Sequence, residues 1–224
     1  MGTLRRIARL SWFPPLAAAA ALGPMAQVHH APAAEGVVAE APTFKVGDEW
    51  RFTGGTFPGV HRVVGSEGDY VITEFTGFTR CEGCRYFRDR NLTVHKVLDA
   101  KGEPWPEAVL GEQRLDFPLH VGREWTQNIE LRGPGGRLQP FVNRFKVEAH
   151  EEVSVKAGKF KAFRITQFQE NRATGGRGEG TSWWSPDVRW WVKVEAVREI
   201  GLGAPGRARG ATRRDTELES YTLK

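Results

Sequence analysis

Cys81-Glu82-Gly83-Cys84 holds both cysteines of the chain and is the first candidate for chemistry. A redox pair of this spacing belongs at a helix N-terminus near a βαβ pattern. Haem attachment requires histidine next, and residue 85 is arginine. A metal site needs further ligands, and His61, His95 and Asp89 are the side chains that neighbouring strands could bring. Pairing outward from a Glu-Gly tip sets Cys81 opposite Cys84, Arg80 opposite Arg85 and Phe78 opposite Phe87. Opposed strand residues lie about 4.5–5.5 Å apart at Cα, within disulfide reach. A disulfide between Cys81 and Cys84 is the favoured reading, with redox and metal roles left open.

The only dense titratable run is Glu148, His150, Glu151 and Glu152. On a strand, Glu148, His150 and Glu152 share a face, where a cation or a proton could be held. Charged strand ends are ordinary, so the bland reading is a solvated end. There is no H-E-x-x-H, no G-x-S-x-G and no phosphate-cradling glycine loop. No residue is therefore assigned a catalytic or metal-binding role, and no cofactor is expected. Whether the protein is an enzyme stays open, with a binding protein favoured.

Residues 178–197 carry four of the eight tryptophans and read as a long hairpin. Ser185-Pro186-Asp187-Val188 suits a four-residue loop with proline at the second position. Trp183 then faces Trp190, and Trp184 faces Arg189. Alternation puts Trp183, Trp190, Val192 and Val194 on a core face. Trp184, Arg189, Trp191, Lys193 and Glu195 fall on the other. There Trp184, Arg189 and Trp191 form either a ligand or partner surface, or a face covered by another part of the chain.

The elements around these residues are strands. Val46-Gly47-Asp48-Glu49-Trp50 recurs as Val121-Gly122-Arg123-Glu124-Trp125, with the tryptophans 75 residues apart. Self-similarity at a fixed offset suggests two duplicated halves, 44–116 and 117–224. In each, Val-Gly makes a turn into a strand and the indole is an inward anchor. Short β-branched and aromatic runs follow between glycine corners, as at 70–78 and 160–169. Phe141, Phe145, Val147 and Ala149 alternate with charged residues. Pro104 and Pro106 mark 101–116 as a connection, and 212–223 reads as a closing strand. No segment has apolar 3.6-residue periodicity. The fold class is all-β, a curved antiparallel sheet or incomplete barrel.

Residues 1–33 look like an export signal. Arg5, Arg6 and Arg9 precede an apolar stretch that ends at Ala31-Pro32-Ala33. Pro14, Pro15 and Pro24 break that stretch, so no permanent membrane span is expected. Residues 34–43 read as a flexible lead-in to a single domain over 44–224. Without the signal, Lys+Arg falls from 32 to 29 against 27 acids, so the formal charge drops from +5 to +2. That excludes a basic nucleic-acid surface as the main partner site.

Phe-Pro-Leu-His-Val-Gly-Arg-Glu-Trp (117–125), Val-Lys-Ala-Gly-Lys-Phe-Lys-Ala-Phe-Arg-Ile (155–165) and Trp-Trp-Ser-Pro-Asp-Val-Arg-Trp-Trp-Val-Lys (183–193) join the first Val-Gly-Asp-Glu-Trp in one pattern. Together they resemble a family of bacterial exported proteins of unknown function. The resemblance implies an antiparallel β fold in the cell envelope, like the half-barrels of lipoprotein carriers. It brings no catalytic residues. The expectation is a periplasmic or secreted, non-catalytic protein that binds a lipid or other apolar or amphipathic envelope ligand. The alternatives are a module docking an envelope protein through Trp184 and Trp191, and a metal- or thiol-dependent enzyme using the Cys81–Cys84 loop.

Overall fold

The computed structural model describes residues 36–55, 58–77, 81–132, 136–200 and 215–224, with backbone alone for 196–200. Among these residues there are eleven strands and no α-helix. They are β1 (Glu49–Thr53), β2 (Gly59–Glu67), β3 (Tyr70–Thr76), β4 (Cys84–Arg88), β5 (Val94–Leu98), β6 (Glu124–Arg132), β7 (Leu138–Val155), β8 (Gly158–Asn171), β9 (Arg177–Ser185), β10 (Trp190–Ile200) and β11 (Thr216–Thr222). The all-β expectation holds. One antiparallel sheet runs in the order β5-β4-β3-β2-β1-β11-β10-β9-β8-β7-β6. The first five strands meander to one edge. The chain then crosses to the other edge and meanders back, and β11 fits between β10 and β1.

The sheet does not close into a barrel. Among the described residues no ladder joins the edge strands β5 and β6. The connector between them lies in the seam. Gly111 N–H donates to the Val94 carbonyl of β5 at 2.7 Å, and Gln113 N–H donates to Gln127 Oε1 of β6 at 2.9 Å. Gln127 Nε2 also donates to the Gly111 carbonyl. The connector then turns inward. Leu115 and Leu119 are fully buried and Phe117 nearly so, against Trp50, Phe145, Trp184 and Val192. Fully burying one such side chain is worth about 1.5–3 kcal/mol. The connector is therefore a core element as well as a link, which its prolines had not suggested.

The lead-in is also placed. Ala39 and Leu119 exchange two backbone hydrogen bonds of 2.8 Å, and Ala39 is buried. The segment expected to be a flexible approach thus packs on the connector.

The repeated motif builds the same turn twice. Asp48 N–H donates to the Lys45 carbonyl at 3.0 Å, and Arg123 N–H to that of His120 at 3.1 Å. The third residue of each turn is glycine, with φ of 92° at Gly47 and 88° at Gly122. Side chains rarely adopt that conformation, which explains the shared Val-Gly. Each glycine N–H then bonds the facing strand, Val63 or Val147, at 2.9 Å. Glu49 pairs across the ladder with Arg62, and Glu124 with Lys146. The anchors differ in depth: Trp50 is fully buried, while Trp125 is half-buried and stacked on Phe145 at 5.1 Å. The equivalence covers the turn, the strand it feeds and that strand's hairpin partner.

Two registers depart from expectation. In the tryptophan hairpin, Trp190 pairs with Ser185 and Trp191 with Trp184, not Trp190 with Trp183. The loop is Pro186–Arg189, closed by Arg189 N–H on the Pro186 carbonyl at 3.2 Å, with Arg189 at φ 57°. Ser185 stays in the strand because its hydroxyl donates to the Lys161 carbonyl at 2.7 Å. A bulge follows between Trp191 and Lys193, and Lys193 pairs with Trp183. One extra residue moves everything after it to the other face. In the cysteine hairpin, Cys84 pairs with Phe75 instead of Cys81. Gly77, at φ 82°, ends β3 early, and Glu82 Oε2 accepts its N–H at 2.7 Å. Cys81 therefore sits in a longer loop.

Candidate functional site

One groove of about 360 Å³ lies over β6–β9, lined by side chains such as Glu124, Arg144 and Glu148, and a second, more apolar one lies between the lead-in and β2–β4. The volume of the second is about 330 Å³. Pro42, Phe44, Val63 and Val71 supply apolar wall and floor, and Arg88 lines the groove with Asp69, Asp89 and Arg90. Val71 and Arg88 are register partners, so β3 and β4 bring an apolar side chain and a guanidinium together. Phe44 makes edge contacts with Trp50 at 5.7 Å and Trp190 at 5.8 Å, which fixes the lead-in wall.

Arg88 points inward with Tyr86 and Cys84, because side chains two apart share a face. Its Nε donates to Thr73 Oγ1 and its Nη1 to the Leu92 carbonyl, both at 3.2 Å. The guanidinium lies 5.2 Å from the Tyr86 ring and 5.4 Å from that of Trp190. Among the described residues no carboxylate forms a salt bridge with it. Asp89 is committed elsewhere: it accepts from His95 at 2.9 Å and from the backbone N–H groups of Asn91 and Thr93 at 2.8 and 3.0 Å. Burial lowers the Arg88 pKa to about 10; the Tyr86 hydroxyl opposes this and the Arg114 charge adds to it. At neutral pH the group is still a cation.

His61 stands beside this cluster, stacked on Phe75 at 4.0 Å and edge-on to Phe52 at 5.7 Å. Its Nδ1 is buried with no hydrogen-bond partner among the described residues. Burial first, and the Arg88 charge second, lower its pKa from 6.5 to about 3. His61 is therefore neutral in the folded protein near pH 7. It does not meet His95, which is paired with Asp89. Among the described residues no three His, Cys, Asp or Glu side chains group to hold a metal.

Sequence reasoning placed the site elsewhere. Trp184 is 1% exposed and packs on Phe117 at 5.0 Å, so it is a core indole and not a docking surface. The connector supplies the cover that alternation alone could not show. Trp191 is half-buried against the same core. Arg189 turns away from both indoles. Its Nη1 donates to the Thr43 carbonyl at 2.8 Å and to Asp48 Oδ2 at 3.2 Å. Asp48 is fully buried and also accepts from the backbone N–H groups of Lys45 at 2.9 Å and Lys224 at 2.7 Å. Trp50 Nε1 donates to the Val188 carbonyl at 2.7 Å. The first motif thus ties the lead-in, the β9–β10 loop and β11's end into the wall behind the groove.

Cys81 and Cys84 form a disulfide, with Cα atoms 5.5 Å apart. Both are buried in a satellite cluster with Val97, against which Tyr86, Trp105 and Ala108 pack. The titratable run at 148–152 is divided by the bulge in β7. Glu148 lies 3.5 Å from Lys146, Glu152 lies 3.1 Å from Lys159, and the His150 ring lies against Phe163 at 4.7 Å. Arg88 was missed. The available signal was an arginine in phase with the inward residues Cys84 and Tyr86.

The fold and groove define an open, connector-filled antiparallel sheet with a small amphipathic recess beside the lead-in. No family model matches the chain, and no curated protein matches its sequence. Three solved structures are similar in outline. The hypothetical lipoprotein YmcC from Escherichia coli is 11% identical, with 81% of this chain and 89% of that one covered, at a TM-score of 0.42. A candidate lipoprotein from Parabacteroides distasonis is 11% identical over 83% and 100%, at 0.40. A candidate exported protein with a YmcC-like fold from Bacteroides fragilis is 10% identical over 82% and 99%, at 0.35. Likeness at this level assigns no role.

Proposed function

We propose that this is an exported, non-catalytic binding protein for an amphipathic molecule of the cell envelope. The export reading rests on the signal-like residues 1–33. The observation that carries the binding reading is the groove of about 330 Å³ beside the lead-in, with Pro42, Phe44, Val63 and Val71 as its apolar lining. Small-molecule sites are usually concave and mostly apolar, with a few polar groups that orient the ligand. Leu115, Phe117 and Leu119 occupy much of the concave side. Of the two grooves this one has the more apolar lining, and its volume suits a small ligand.

Titration with the apolar fluorophore N-phenyl-1-naphthylamine tests this. The expected result is saturable binding at one equivalent, lost in Val71→Trp, which fills the groove while remaining folded. Native mass spectrometry of protein purified from its own envelope should show a bound small molecule. Absent fluorophore binding, or binding unchanged in Val71→Trp, would overturn the reading.

A further inference from the structure

We propose that the groove selects ligands with an anionic head, carboxylate or phosphate, and that Arg88 is the residue that receives it. The inference rests on the groove being a binding site and names the class of molecule it takes. A guanidinium has five N–H groups in a planar fork. In Arg88 two protein acceptors are present, Thr73 Oγ1 and the Leu92 carbonyl. The remaining donors have no protein acceptor among the described residues, while the side chain lines the groove. An inward cation with no carboxylate partner is costly, since desolvated charge needs compensation.

The surroundings favour an anion over other heads. His61, beside the guanidinium, is held neutral by burial and offers no negative charge. Arg114 adds positive potential from the connector, although it also lies 3.2 Å from Glu112. Of the two groove acids, Asp69 is exposed, and Asp89 is engaged with His95 and two backbone N–H groups. Tyr86 and Trp190 lie against the guanidinium and hold it in place, as cation–π contacts do. Arginine's fork suits carboxylate and phosphate oxygens in pairs, and that geometry is set before a ligand arrives. Phe44, Val63 and Val71 then receive the apolar body.

A series sharing one ten-carbon chain isolates the head: decanoate, decyl phosphate, decanol and decyltrimethylammonium, measured by calorimetry on the wild-type protein. The two anions should bind roughly 10- to 100-fold more tightly than decanol, the range expected of a charge-assisted hydrogen bond. The cation should be weakest. Decanoate against decyl phosphate tells which anion is preferred. Arg88→Met, which keeps the apolar stem, should bring the anions down to decanol. Arg88→Lys should restore part of the difference, as charge without the fork.

Equal binding of decanoate and decanol by wild type would overturn the assignment of Arg88 and leave the groove reading standing. Failure of all four ligands to bind would remove the groove reading itself. The wild-type series decides the matter even if Arg88→Met does not fold.

Discussion

Asp48 offers the sharpest test of how the two Val-Gly motifs do different work. Its carboxylate is fully buried and accepts from Lys45 N–H, Lys224 N–H and Arg189 Nη1 at 2.9, 2.7 and 3.2 Å. In Asp48→Ala two backbone donors are left in part-buried space. Each unsatisfied donor costs about 1–3 kcal/mol. Arg189 is 21% exposed at its side chain and recovers part of its loss from water. The expected cost is about 2–4 kcal/mol, near the low end per donor because the backbone groups are only part-buried. That corresponds to a Tm lower by roughly 4–16 °C for a domain of this size. Asp48→Asn keeps one acceptor oxygen and should lose about half as much.

The matched control is Asp116, which pairs with Arg123, the residue at Asp48's place in the second motif. Those side chains are 23% and 33% exposed, so Asp116→Ala should cost below about 1 kcal/mol. Urea denaturation followed by tryptophan fluorescence reads both, with the slope m held constant between variants. Asp48→Ala within about 1 kcal/mol of wild type, or as mild as Asp116→Ala, would refute the reasoning.

Two further outcomes follow from buried groups. Because the His61 pKa is lowered to about 3, the unfolded chain binds a proton between pH 6.5 and 3 that the folded protein refuses. Stability must then fall as pH falls, by up to about 1.4 kcal/mol per unit, or about 2 kcal/mol from pH 6.5 to 5. His61→Phe keeps the stack on Phe75 and should remove most of that loss. His150, also lowered chiefly by burial, leaves a weaker slope of the same sign. Equal acid sensitivity in both proteins, by urea titration at pH 5 and 7.5, would count against a buried neutral imidazole. For the disulfide, the double substitution Cys81→Ser and Cys84→Ser should lower stability by about 2 kcal/mol, the chain-entropy value for so short a loop. Reductant should shift the wild-type midpoint toward that of the variant, and no shift would place the stabilisation in Trp105 packing instead.

Strand content and the two glycine turns were legible because their signals are local. Val-Gly before a strand admits few conformations once φ must be positive, and both copies obey. Burial was less legible because it depends on what lies opposite. Trp184 and Arg189 looked like neighbours on a surface. In fact a hydroxyl bond from Ser185 to the Lys161 carbonyl, 24 residues earlier in the chain, keeps Ser185 in the strand and moves the loop. The bulge at Val192 then carries Lys193 over to Trp183, a change that no alternation rule contains. Leu115, Phe117 and Leu119 do alternate in the sequence. Pro104 and Pro106 mark 101–116 as a link, which cuts that pattern after Leu115.

The connector decides what the sheet can do. An open sheet of eleven strands would leave two unpaired edges and a wide apolar hollow, both prone to unwanted pairing. Here Gly111 and Gln113 bond β5 and β6, and Glu112 Oε1 accepts from Asn143 at 3.2 Å and Gln167 at 3.1 Å on the inner face. The same connector that bonds the edges through Gly111 and Gln113 therefore fills the hollow with Leu115, Phe117 and Leu119. A groove stays open at the margin where the lead-in, and not the connector, forms the wall. On the proposed reading, Phe44, Val63 and Val71 would take the apolar body of a ligand and Arg88 its charged end.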